Sequence, residues 1–242
     1  MIIDTHTHVI ATDTKKYPLA PLFGKQSTWS AEHPLNYPDL VKAHIEAGVD
    51  KAVLVQASSA YAFDNSYTAD SVAAHPERFT GVFSVDVVAP DAPEKMKHWM
   101  SRGLTGMRIF TSGSTQAAQT TFFAEEAAFP AWQYANDTSL SVCMQMRLEG
   151  LPLLETLLKR FPKAPVILDH FARAEAADGG VDLDHLTARF DGQTSVLNRS
   201  DLQHAGAGLE FFGGKRGQSG NSGKRKQKRE PFHAAIIRRD IV

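Results

Sequence analysis

The sequence predicts an α/β chain of the (β/α)8 TIM-barrel type with its last two β/α units missing or replaced. Three observations carry that reading. Six short, apolar, β-branched runs alternate with amphipathic stretches up to about residue 180, and such alternation implies parallel strands joined by right-handed crossovers. Polar residues gather at the C-terminal ends of those runs, which in a barrel converge on one mouth. The loop after the first run, "THTHVIATDTKK", contains no glycine; a doubly wound sheet would place a glycine-rich phosphate loop there.

The elements follow in order. "MIIDTHTH" is a strand with an apolar lead, and Asp4, His6 and His8 alternate onto one face. Three polar groups on one face are costly to bury unless a hydrogen-bond network, a substrate or a metal satisfies them. "YPDLVKAHIEAGV" is a helix, with Leu40, Val41, Ile45 and Val49 at helical spacing and Gly48 as its stop. "KAVLVQAS" is the second strand and ends in Gln56 and Ser58. "NSYTADSVAAHPERF" is a helix, and "FTGVFSVD" a strand ending at Asp86. "DAPEKMKHWMSRG" is a helix that starts with Asp91 and Pro93 and stops at Gly103. "TGMRIF" is a strand carrying Arg108, and "FFAEEAAFPAWQYANDT" a helix. "LSVCMQM" is a strand with Gln145, followed by Arg147. "GLPLLETLLKRFP" is a helix closed by Pro162, and "APVILDH" a sixth strand ending in Asp169 and His170.

After "FARAEAADGG" the alternation stops. Residues 1–180 therefore form the barrel portion, and residues 181–242 an atypical segment. Its "GGKRGQSGNSGKRKQKRE" run is basic, glycine-rich and expected to be disordered. The abrupt change of pattern reads as a replaced C-terminus.

Bulk properties narrow the function classes. The chain has 242 residues, is 43% apolar and carries a net charge of −1, so it has no global nucleic-acid signal. The run from Lys224 to Arg229 lacks interleaved aromatics and reads as a solvated tail. Cys143 is the only cysteine, which precludes an intrachain disulfide and suits a reducing cytoplasm. No leader peptide or membrane span is expected. Cys143, His44, His75 and His98 read as packing residues rather than chemical groups.

Five segments, "IDTHTHV", "VLVQASSAYAFDN", "HPERFTGVFSVD", "GLTGMRIF" and "VILDHFAR", together resemble the amidohydrolase-related branch of the amidohydrolase superfamily. Within it the chain is most similar to the 2-pyrone-4,6-dicarboxylate lactonase group. The resemblance implies a (β/α)8 barrel that hydrolyses a small anionic cyclic ester. It implies His6, His8 and His170 as catalytic residues and Arg108 as the holder of a substrate carboxylate. Ser58, Tyr61, Asn65, Gln145 and Arg173 complete the expected substrate contacts. Where the family shows Tyr-Gly-x-Asp-Asn after strand two, this chain has Ala62 in the glycine position, and alanine resists backbone angles that glycine permits. The family's strand-eight aspartate has no counterpart, so the general base is unassigned.

Two cofactor states follow. A binuclear centre does not suit Arg108 and Gln145 as ligands. One zinc could be held by His6 and His8, with His170 as third ligand. The favoured expectation is no cofactor, with the imidazoles donating to the developing oxyanion and a carboxylate activating water. The alternatives are an inactive truncated relative and a metal-dependent decarboxylase. A small anionic substrate is the expected partner, with no nucleic acid and no membrane; the oligomeric state is left open.

Overall fold

The computed structural model describes residues 1–173 and 236–238. Seven strands form one sheet in the order β6-β5-β4-β3-β2-β1-β7. They are β1 Ile2–Thr7, β2 Lys51–Val55, β3 Phe79–Ser84, β4 Gly106–Phe110, β5 Ser141–Gln145, β6 Val166–Leu168 and β7 Ile236–Arg238. Strands β1 to β6 pair in parallel, each with its sequence neighbour, and curl as half of a barrel. Helices lie between them: α1 Thr28–Glu32, α2 Tyr37–Ala47, α3 Ser58–Tyr61, α4 Ser66–Ala74, α5 Ala92–Ser101, α6 Phe129–Thr138 and α7 Leu151–Arg160. Among the described residues no helix is long and apolar enough to cross a membrane.

All six strands and the five long helices expected from periodicity are present. The differences are local. The stretch around "AAHPERF" leaves the helix at Ala74, because Pro76 disfavours helical geometry in the residue before it. "FFAEEAAFPAWQYANDT" begins as two 3₁₀ turns and becomes α-helical only at Phe129. Pro130 is tolerated in the first turn, where its missing N–H removes no helical bond. Helix α2 has both of its expected ends. Asn36 caps it by accepting from the Asp39 N–H at 2.9 Å, and Gly48 closes it in the left-handed conformation at φ 70°.

The core lies between the sheet and its helices. Leu54, Phe83, Met107 and Met144 from successive strands are fully buried, as are Trp132 of α6 and Leu154 of α7. The Trp132 indole donates to the Phe123 carbonyl at 2.8 Å, so the one polar atom of that ring is satisfied. Cys143 is buried, and burial pushes its thiol up to about 12, which suits packing and not nucleophilic chemistry.

The sequence pattern did not single out β7. It pairs antiparallel with β1, Ile3 opposite Ile237. Its backbone occupies an edge of β1 that would otherwise expose unpaired N–H and C=O groups. The division at residue 180 and the basic run Lys224–Arg229 lie outside the described residues.

Candidate active site

The strand ends do converge, and the centre of the cluster is an ion pair. Arg108 Nε of β4 donates to Asp169 Oδ2 at 2.9 Å, with both side chains 4% exposed. Asp169 follows β6 directly, and its other oxygen, Oδ1, lies 3.7 Å from His6 Nδ1. Arg108 Nη2 also donates to Gln145 Oε1, at the end of β5. The guanidinium packs 5.8 Å from the Phe110 ring centroid.

His6 is central among the imidazoles. Its ring centroid is 5.0 Å from that of His8 and 4.8 Å from that of His170. Burial, then the positive charge of Arg108 and the neighbouring His170, push the His6 pKa down to about 2, so the ring is neutral at any working pH. Burial likewise holds His8 well below the usual histidine range. His8 stands one residue past β1, with its Nδ1 2.6 Å from the Val55 carbonyl at the end of β2. A carbonyl only accepts, so Nδ1 carries the proton and Nε2 of the neutral ring is an acceptor.

This corrects the expectation that His8 donates to an oxyanion, because its single N–H is already spent on Val55. His6 has the matching arrangement. Its Nδ1 faces the Asp169 carboxylate, and its Nε2 is buried with no hydrogen-bond partner among the described residues. An orphaned, buried imidazole nitrogen beside a second acceptor nitrogen is the donor chemistry a divalent ion takes. The Nδ1–H···O=C bond of His8 is the outer contact that orients such a ligand. Among the described residues no group of three or more His, Cys, Asp or Glu is arranged to hold a metal. Among the described residues the candidate donors to an ion are therefore two, His6 and His8.

The other expected contacts fall into two groups. Gln145 is 7% exposed and positions Arg108. Ser58 and Asn65 are enclosed, at 1% and 0% exposure, and their polar atoms serve the chain. Ser58 Oγ donates to Gln56 Oε1 at 2.7 Å. Asn65 Nδ2 donates to the Phe63 and Ser84 carbonyls, and its Oδ1 accepts from the Ser84 N–H. Tyr61 is also buried, and its hydroxyl accepts from the Ala11 N–H at 2.7 Å. Each of these three buried groups has a hydrogen-bond partner within the chain, as buried polar groups require: Gln56 for Ser58, Ala11 for Tyr61 and Ser84 for Asn65.

Within that loop Ala62 adopts φ 46°, ψ −108°, the backbone shape a glycine would take without strain. Gln56 Nε2 holds it there by donating to the Ala62 and Asp64 carbonyls. Arg147 is committed to the loop after β4, with Nε 2.9 Å from the Ala117 carbonyl. His170 is exposed, at φ 52°. Arg173 ends the turn after β6, and its side chain lies outside the described residues.

Sequence reasoning gave no role to two residues of the site. Asp169 was legible as the neighbour of His170 in "VILDH", but its partner was not. Trp29, 37% exposed, stacks on His8 at a centroid distance of 5.0 Å and an interplanar angle of 24°. No periodicity or motif marks it.

A curled parallel sheet with histidines, an arginine and a carboxylate at its C-terminal strand ends defines a barrel-type scaffold with its polar groups at the mouth. More particularly, residues 3–190 match the amidohydrolase family model, and the chain belongs to the amidohydrolase family. Solved structures share its fold at low identity. A probable 2-pyrone-4,6-dicarboxylic acid hydrolase from Acinetobacter baumannii, with citric acid bound, is 17% identical with a TM-score of 0.60, over 79% of this chain and 67% of its own. A Pseudomonas putida protein named for the same hydrolase is 18% identical with a TM-score of 0.62, over 80% and 66%. The 5-carboxyvanillate decarboxylase of Novosphingobium aromaticivorans, complexed with manganese and a nitrobenzoic acid ligand, is 17% identical with a TM-score of 0.51, over 70% and 65%. The chain spans about two thirds of the length of these structures. No curated protein matches it.

Proposed function

We propose that this chain hydrolyses a small anionic cyclic ester, with His6 and His8 presenting acceptor nitrogens to an electrophile. One observation supports this above the rest: two neutral imidazoles lie with ring centroids 5.0 Å apart, each with Nδ1 directed at an oxygen, Val55 O for His8 and Asp169 Oδ1 for His6. His6 and His8 would hold one divalent ion. When bound, such an ion supplies Lewis acidity toward the ester carbonyl.

The chain's own residues divide the remaining work. Arg108 holds the Asp169 side chain in place, and Asp169 faces the Nδ1 side of His6, leaving Nε2 available. Gln145 fixes the guanidinium that holds Asp169. His170, exposed and beside His6, is placed to exchange a proton with solvent as water adds to the carbonyl and the ring oxygen departs with a proton. The product is the ring-opened acid.

A second reading, decarboxylation of an aromatic acid, is favoured by the same pair of acceptor nitrogens and by the manganese-bound decarboxylase that shares the fold. Purified protein incubated with 2-pyrone-4,6-dicarboxylate, and separately with 5-carboxyvanillate, separates the two. Each assay is run with chelator and with added zinc or manganese. Loss of pyrone absorbance supports the hydrolase, and carbon dioxide release the decarboxylase. A folded protein that turns over neither overturns both readings and leaves an inactive relative. Chelator-resistant hydrolysis removes the ion from the proposal.

A further inference from the structure

The Trp29–His8 contact has no counterpart in the roles assigned above. A tryptophan left 37% exposed is poorly used as core. Its helix, α1, has five residues, too short to persist without tertiary anchors. Those anchors are three hydroxyls. Ser27 Oγ is 2.8 Å from both Ser30 Oγ and Ser59 Oγ, and Ser30 Oγ donates to the Ser27 carbonyl at 3.0 Å. All three serines are buried. Ser59 belongs to α3, whose neighbouring Ser58 is bonded to Gln56, one residue beyond Val55. Both restraints on His8, the Val55 carbonyl and the Trp29 face, thus trace back to the end of β2.

His8 needs such restraint because it stands past the last residue of β1. Only its Nδ1–H···O=C bond selects which nitrogen is bare. Rotation of the ring about its Cβ–Cγ bond would break that bond and set Cδ2 and Cε1 where Nδ1 and Nε2 stood, so nothing would then select the Nδ1–H form. A stacked indole opposes the rotation, because the imidazole must pass edge-on through the space the indole fills.

We propose that Trp29 is a positioning residue: stacked on His8 and pinned by the Ser27–Ser30–Ser59 hydroxyl cluster, it fixes the imidazole in the Nδ1–H form with Nε2 as the bare acceptor. The inference rests on the reading of His8 as a lone-pair donor. The test separates the two.

Two-bond ¹H–¹⁵N correlation spectra of the full chain report the His8 tautomer without any ligand, and titration with cobalt(II) chloride reports ligand capacity. Wild type is expected to show a single Nδ1–H form. Trp29→Ala is expected to show mixed tautomers and to bind cobalt(II) about tenfold more weakly or worse, as for loss of other outer contacts to a ligand histidine. Trp29→Phe, which keeps a π face, is expected to restore both. If Trp29→Ala loses its circular-dichroism signature, Trp29→Leu replaces it with the same expectation. A pure Nδ1–H signal in the folded, stack-less variant overturns the proposal whatever its cobalt affinity. A wild type that binds no cobalt(II) defeats the ion reading alone, and the tautomer spectra still decide the role of Trp29.

Discussion

Arg108 and Asp169 form a buried ion pair, Nε to Oδ2 at 2.9 Å, that ties β4 to the end of β6 across 61 residues of sequence. Asp169 Oδ1 also lies 3.7 Å from His6 Nδ1, so the pair links the stability of the half-barrel to the shape of the site. Two charges taken out of water are tolerated only as a pair, and removing one leaves the other uncompensated.

Arg108→Ala is therefore expected to destabilise the fold by about 3–5 kcal/mol, read as a lowered urea midpoint with an unchanged slope. The double variant Arg108→Met/Asp169→Leu should recover much of that loss while turnover stays absent. A single variant as stable as wild type would show that the pair is not formed in solution.

Stability should fall in acid. His6 titrates near 6.5 when unfolded and near 2 when folded, and burial also holds His8 and His44 below the usual value. Below pH 6.5 the unfolded chain takes up protons that the folded chain refuses, so ΔG of unfolding drops as pH falls toward 2. Each fully refused proton costs about 1.4 kcal/mol per pH unit. Chemical denaturation at pH 7.5, 6.0 and 5.0 should show midpoints falling in that order, and His6→Gln should flatten the trend.

Ala62→Gly should stabilise the protein by about 1 kcal/mol, because it relieves a left-handed backbone that L-residues disfavour by about 1–2 kcal/mol at the expense of some unfolded-state entropy. The measurement is a rise in thermal midpoint. An unchanged or lower midpoint would mean the loop has another backbone shape.

Tyr61→Phe removes the acceptor of the buried Ala11 N–H and should cost about 1–3 kcal/mol. Faster amide exchange at Ala11 should accompany it, because the loop after β1 loses its tie to α3. Unchanged exchange there would mean the hydroxyl is not the acceptor.

What the sequence determined by itself was local. Period-2 and period-3.6 patterns reported six strands and five helices because each depends on residues a few positions apart. Residue type and strand-end position picked out His6, His8, Arg108 and His170 for the same reason. Ala62 stood out in the sequence only as the residue in place of a family glycine; its positive φ is a finding of the structure.

The tertiary structure decided what each group faces. Ser58, Tyr61 and Asn65 took Gln56, Ala11 and Ser84 as partners, the last two from segments distant in sequence. His8 became an acceptor through a carbonyl 47 residues away. Asp169 gained its role from Arg108, Trp29 from His8, and β7 its place from the free edge of β1. Such partners meet only when the sheet curls and brings distant segments within bonding distance, and no local pattern along the chain encodes that meeting.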